Sequence, residues 1–111
     1  MENLEELLNE LQMQNQQLQT VLIQKQSLMI QSRETEKALE EIEKGCEEIY
    51  KTIGPILVRT NREDIKKDLE ESKEEVGIKL KSLEKQEAML KERIKKIQEK
   101  FQELTQAGKG G

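Results

Sequence analysis

Residues 49–60 read Ile49-Tyr50-Lys51-Thr52-Ile53-Gly54-Pro55-Ile56-Leu57-Val58-Arg59-Thr60, a run of β-branched and aromatic side chains on both sides of a Gly-Pro pair. Residues of this kind fit a pleated, half-buried surface and lose side-chain freedom in a helix. Pro55 lacks a backbone donor and Gly54 tolerates unusual dihedrals, so the pair predicts a turn or bulge with a short strand on each side. An isolated two-stranded hairpin is marginal in water, and this one would expose Ile53, Ile56, Leu57 and Val58. Equivalent strands from other subunits would cover those side chains, so the stretch predicts an oligomer.

Upstream, the periodicity changes from two to seven. With Leu4 as position a of a heptad, the a series is Leu4, Leu11, Leu18, Lys25, Ser32, Leu39 and Cys46. The d series is Leu7, Gln14, Val21, Leu28, Thr35, Ile42 and Ile49. Both are predominantly apolar, which is the seam of a coiled coil. Asn3 followed by Glu6 supplies an N-cap, the Asn oxygen accepting a backbone N–H that the first turn leaves unpaired. No proline interrupts residues 4–49, and Gly45 marks the loosening end of the helix. The spacing predicts one helix over 3–49, roughly 70 Å long.

Downstream, Thr60 with Glu63 reads as a capping box. Apolar residues then recur at Leu69, Val76, Leu83, Leu90, Ile97 and Leu104, with a companion series of Lys73, Leu80, Glu87, Ile94 and Phe101. A second helix is expected over 61–107, ended by Gly108, Gly110 and Gly111, with 108–111 a flexible tail and Gly77 a modest internal weakness. Two seams of nearly equal length around a short connection (50–60) favour an antiparallel pair within one chain. Contacting residues should have numbers summing to roughly 108 to 115, so that Leu28 faces Leu80 or Glu87. Lys25 and Glu87 fall inside that window: they either form an interhelical ion pair that fixes register or snorkel to water independently. The expected architecture is an α-dominated single domain spanning 1–111, a long antiparallel two-helix coiled-coil hairpin with a short β-hairpin between its helices.

Composition agrees with long helices and narrows function. The 111 residues are 38% charged, 33% hydrophobic and 2% aromatic, too little apolar matter for an ordinary globular core. Acidic and basic side chains are interspersed and the net charge is -4, so no one-sign field awaits nucleic acid. The cluster Lys95, Lys96, Lys100 and Lys109 is diluted by Glu99 and Glu103 and has no second aromatic for a base to stack on. There is no histidine, and Cys46 has no partner cysteine for a disulfide or a zinc site, so it is expected to be a small core residue. No phosphate-binding glycine loop is present, and the glutamates at 40, 41, 43, 47 and 48 alternate with lysines on a solvated face. The expectation is therefore a protein that is not an enzyme and uses no cofactor or metal. The amino terminus opens on Glu2, Glu5 and Glu6 rather than a basic and apolar leader, which predicts a soluble, cytoplasmic chain with no membrane segment.

What remains is an apolar excess at the open end, where Leu4, Leu7, Leu8, Leu11 and Met13 meet Ile97, Phe101 and Leu104. Leu8 and Met13 lie outside the a and d seam. Spacing alone leaves two alternatives open: the ends pack on one another, or they present an adaptable apolar surface to a partner.

The whole chain resembles the β-type subunit of prefoldin, the archaeal form in particular. The resemblance is carried by the junction Ile49-Tyr50-Lys51-Thr52-Ile53-Gly54 with Ile56-Leu57-Val58-Arg59, and by Leu80-Lys81-Ser82-Leu83-Glu84-Lys85-Gln86-Glu87. The Gln-rich stretch 12–26 and Glu34-Thr35-Glu36-Lys37-Ala38-Leu39-Glu40 are similar as well. Pro55 departs from the polar residue expected after the glycine. The resemblance implies a hexamer of two α-type and four β-type subunits whose hairpins assemble into β-barrels. It also implies ATP-independent capture of unfolded proteins at coiled-coil tips and delivery to a group II chaperonin. Assembly would rest on Ile49, Tyr50, Ile53, Gly54, Pro55, Ile56, Leu57 and Val58, and client binding on Leu4, Leu7, Leu8, Leu11, Ile97, Phe101 and Leu104. Two rivals are a coiled-coil spacer that binds no client and an RNA-reaching helical arm, the latter requiring salt-sensitive binding through dispersed lysines.

Overall fold

A computed structural model describes residues 3–45 and 47–109; Met1, Glu2, Cys46, Gly110 and Gly111 lie outside the described residues. The order is α1 (Leu4–Lys44), β1 (Ile49–Ile53), β2 (Ile56–Thr60) and α2 (Arg62–Lys109). Contacts divide the chain into two compact units, residues 1–26 with 81–111 (unit 1) and residues 27–80 (unit 2).

The helix ends follow from their caps. The Glu6 backbone N–H donates to Asn3 Oδ1 at 2.9 Å, which starts α1 where the Asn-x-x-Glu spacing places it. α1 stops at Lys44, five residues short of the expected boundary at 49. The cause is Gly45, whose φ of 98° leaves the helical region while its N–H donates back to the Ile42 carbonyl. α2 is capped by Asn61 rather than by Thr60. Asn61 Oδ1 accepts from the Asp64 N–H at 2.8 Å, and Asn61 Nδ2 donates to Asp64 Oδ2 at 2.9 Å. Thr60 belongs to β2 in register with Ile49, so the cap falls to the next residue with a short polar side chain. α2 continues through Gly108 to Lys109, past the expected end at 107.

In unit 1, Leu7 and Val21 of α1 and Leu83, Leu90, Ile94 and Ile97 of α2 are buried, while Leu11, Gln14, Leu18, Lys25, Glu87 and Phe101 are half-buried. These are the heptad positions, and the helices run antiparallel. Lys25 Nζ lies 3.5 Å from Glu87 Oε1, an interhelical contact inside the expected register window. In unit 2, Thr35, Ile42 and Val76 are buried and Leu28, Ser32, Leu39, Ile65, Leu69 and Leu80 half-buried. The buried Thr35 hydroxyl is satisfied by donating to the Gln31 carbonyl at 2.9 Å. One seam position differs from expectation: Lys73 is exposed and reaches Glu36 at 3.6 Å, and Ser72 takes the interior place. Ser72 follows Leu69 by three residues and precedes Val76 by four, so it lies on the seam side of α2 as well, and the lysine side chain gains water by leaving the place to it.

Candidate assembly and binding surfaces

The hairpin of unit 2 pairs Ile49 with Thr60, Tyr50 with Arg59, Lys51 with Val58, Thr52 with Leu57 and Ile53 with Ile56. Its loop is therefore Gly54-Pro55. Gly54 has φ +58° at the first loop position, and Pro55 is restricted to a negative φ at the second. That combination is the II′ type, whose twist matches paired strands, whereas type I′ would demand a positive φ that proline cannot adopt. Pro55 is thus compatible with complete pairing.

The alternation of side chains gives the hairpin two unlike faces. Ile49, Lys51, Val58 and Thr60 are half-buried on one, and Lys51 Nζ reaches Asp68 Oδ2 of α2 at 3.5 Å. The other carries Tyr50, Thr52, Leu57 and Arg59, all exposed, with Leu57 at 69%. Ile53 and Ile56 at the turn are exposed as well. Among the described residues the sheet has two strands, so each strand has an unpaired edge. Open edges with exposed Tyr50, Leu57, Ile53 and Ile56 beside them suit pairing with further strands.

At the chain ends in unit 1, the apolar residues separate into two groups. Leu7 is completely buried and Ile97 is 5% exposed, so these two hold the helices together rather than facing solvent. Leu11 and Phe101 are half-buried, while Leu4, Leu8 and Leu104 are exposed. The accessible part of the expected tip surface is therefore Leu4, Leu8 and Leu104, with Met13 beside them in sequence and also exposed. Among the described residues one buried side-chain oxygen, Gln14 Oε1 in the seam, has no hydrogen-bond partner.

Sequence reasoning centred on the seam missed a further set of outward apolar residues. Leu22, Ile23 and Met89 of unit 1 are exposed, and so are Met29, Ile30 and Ile78 of unit 2. A signal for four of them, Leu22, Ile23, Met29 and Ile30, exists in the sequence: from Leu11 to Ser32 the one charged residue is Lys25, in a chain that is 38% charged as a whole. Among the described residues no group of three His, Cys, Asp or Glu side chains is placed to hold a metal ion, and no helix is long and apolar enough to cross a membrane.

The prefoldin subunit family model matches residues 5–108. Among curated relatives, the prefoldin subunit beta of Archaeoglobus fulgidus is 46% identical over 55 residues, covering 50% of this chain and 47% of the relative. That of Caldivirga maquilingensis is 39% identical over 62 residues, covering 56% and 51%. The aligned chain spans about half the length of the curated relatives it matches. The crystal structure of the prefoldin beta subunit from Thermococcus strain KS-1 superposes with a TM-score of 0.83 at 34% identity, covering 94% of this chain and 96% of that one. With helix, hairpin and helix in matching order along nearly its whole length, the chain belongs to the prefoldin subunit family.

Proposed function

We propose that the chain is one subunit of an ATP-independent holdase, a molecular chaperone that captures non-native polypeptides on exposed apolar side chains. The carrying observation is the solvent exposure of Leu4, Leu8 and Leu104 in unit 1, in a chain with few apolar residues to spare. Each such contact is weak, so one arm alone would hold a client briefly. Several arms on a common body raise the effective concentration of contacts and give avidity, and release needs no nucleotide. Leu7, Leu11, Ile97 and Phe101 support this surface from beneath and would meet a client only where the helix ends part.

The common body would be a hexamer of two α-type and four β-type subunits. Its β-barrels would form from hairpins through Ile49, Tyr50, Ile53, Gly54, Pro55, Ile56, Leu57 and Val58. The open edges and the exposed Tyr50, Ile53, Ile56 and Leu57 support this. The assembly would work in the cytoplasm and pass its clients to a group II chaperonin, without enzymatic activity or cofactor.

The test uses the chain assembled with its partner subunits and asks whether it suppresses aggregation of a chemically denatured protein without ATP. The comparison is a Leu4→Ser, Leu8→Ser, Leu104→Ser variant, which spares the buried Leu7. Loss of suppression in a variant of unchanged assembly mass supports capture at these residues. Equal suppression moves the capture site elsewhere, and inactivity of both forms favours a structural spacer.

A further inference from the structure

A groove of about 350 Å³ runs between the two helices of unit 1. Its floor is the seam itself, the buried Val21 of α1 and Leu90 of α2, and Met89 extends the apolar wall with 56% of its surface exposed. Gln17, Gln24 and Gln86 bring amides to the lining, and among the described residues Arg93 is its one charged side chain. The sequence repeats one pattern to build it: Gln17, Val21 and Gln24 on α1, and Gln86, Leu90 and Arg93 on α2, are each spaced by four and then three residues. That spacing keeps each trio on one flank of its helix, and its seven residues give the groove a length of about 10 Å.

Arg93 is a cation without a local partner. Among the described residues it forms no ion pair. Its helical neighbours three and four residues away, Met89, Leu90, Lys96 and Ile97, include no carboxylate, and α1 carries no acidic residue between Leu11 and Ser32. An exposed guanidinium at one end of an apolar trough asks for an anion joined to an apolar body. A carboxylate matches the guanidinium fork with two parallel hydrogen bonds. The volume lies at the low end for small-molecule sites, which suits one alkyl chain better than a two-chain lipid, and no aromatic side chain lines the groove to stack on a nucleobase. We infer that this groove is a binding site for a single-chain anionic amphiphile, a medium-chain fatty acid whose carboxylate sits on Arg93 and whose alkyl chain lies over Met89, Leu90 and Val21. The site shares no residue with the hairpin or with the apolar residues at the chain ends, so it stands whether or not those capture a client.

The test uses the full chain in its assembly with partner subunits, dialysed to equilibrium against labelled decanoate below its micelle-forming concentration. Wild type should bind decanoate saturably. An open groove covers about half of each methylene, so affinity should rise about twofold per carbon from octanoate to dodecanoate. Arg93→Glu should bind decanoate about tenfold more weakly, one lost attraction and one added repulsion of about threefold each. The same variant should bind decyltrimethylammonium more tightly than wild type does. Lys85→Glu makes an equal charge change at an exposed residue of α2 outside the lining and should bind decanoate like wild type. Absence of saturable binding to wild type overturns the site, and so does decanoate binding that Arg93→Glu leaves unchanged. Equal losses in Arg93→Glu and Lys85→Glu overturn it as well, reducing the effect to overall charge. A changed assembly mass in Arg93→Glu overturns it too, by making the groove a contact between subunits.

Discussion

Replacing Gly77 by alanine should stabilise the protein, while the same change at Gly54 or Gly45 should destabilise it. Gly77 lies inside α2, is half-buried, and has no positive φ; a Cβ built on it meets nothing within 4 Å. The substitution therefore introduces no clash and recovers the helix-propensity difference, about 1 kcal/mol. For a chain of 111 residues, this corresponds to a rise in Tm of roughly 4 °C. Gly54 also has open space around its Cβ, but its φ of +58° is a strained conformation for an L side chain, so Gly54→Ala should cost about 1–2 kcal/mol. Gly45 at φ +98° should lose for the same reason, the 3.6 Å from its Cβ to the Arg62 guanidinium being an ordinary van der Waals contact. Thermal and urea unfolding of the three variants at one protein concentration reads all of this, the fixed concentration removing any contribution from assembly. Unchanged or lower stability of Gly77→Ala, or a stabilised Gly54→Ala, would refute the assignment of backbone conformation as the deciding term.

Two further contrasts test the packing and the caps. Leu7→Ala removes a side chain with no solvent exposure and should cost about 2–5 kcal/mol in urea unfolding. Leu8→Ala, one residue away and exposed, should change stability by less than about 0.5 kcal/mol. Asn61→Ala deletes the oxygen that accepts from the Asp64 N–H and should cost about 1 kcal/mol. Thr60→Ala, although it alters the residue that spacing nominates as the cap, should cost less than Asn61→Ala in the same measurement.

The parts of this fold legible in the sequence are those where one side-chain property decides the outcome. The α1 seam was legible because leucine, valine and isoleucine at intervals of seven leave a single apolar stripe, and the hairpin because β-branched residues crowd around Gly54-Pro55. The cap of α2 was misplaced by one residue because Thr60 and Asn61 both fit the role, and strand pairing with Ile49 claims Thr60. Lys73 and Ser72 exchange places because a fixed repeat passes over the neighbouring inward position three residues after Leu69, and lysine prefers solvent near Glu36. The candidate binding surface was legible only in outline. Leu7 and Leu8 are chemically identical, and what separates them is about 100° of rotation around the helix, which buries one and leaves the other at 51% exposure. Leu22 and Ile23 escaped notice because a search for a seam discards whatever falls outside it.

The Lys25–Glu87 pair shows what a seam of aliphatic residues lacks. A stripe that repeats every seven residues packs almost equally well when one helix slides by seven, so burial alone leaves the register of unit 1 degenerate. Lys25 and Glu87 are largely covered, with side-chain exposures of 24% and 16%, and Glu87 Oε2 also draws Lys91 to 3.7 Å. Slid by seven residues, Lys25 would stand opposite Ile94 and lose its partner in a partly desolvated seam, while Glu87 would keep only Lys91 of its own helix. Stranding a buried charge in this way costs several kcal/mol, whereas the intact pair adds little net stability over two leucines. The pair is therefore better explained by the registers it forbids than by the one it stabilises. Gln14 Oε1 in the same seam has no hydrogen-bond partner and so offers no comparable specificity for register.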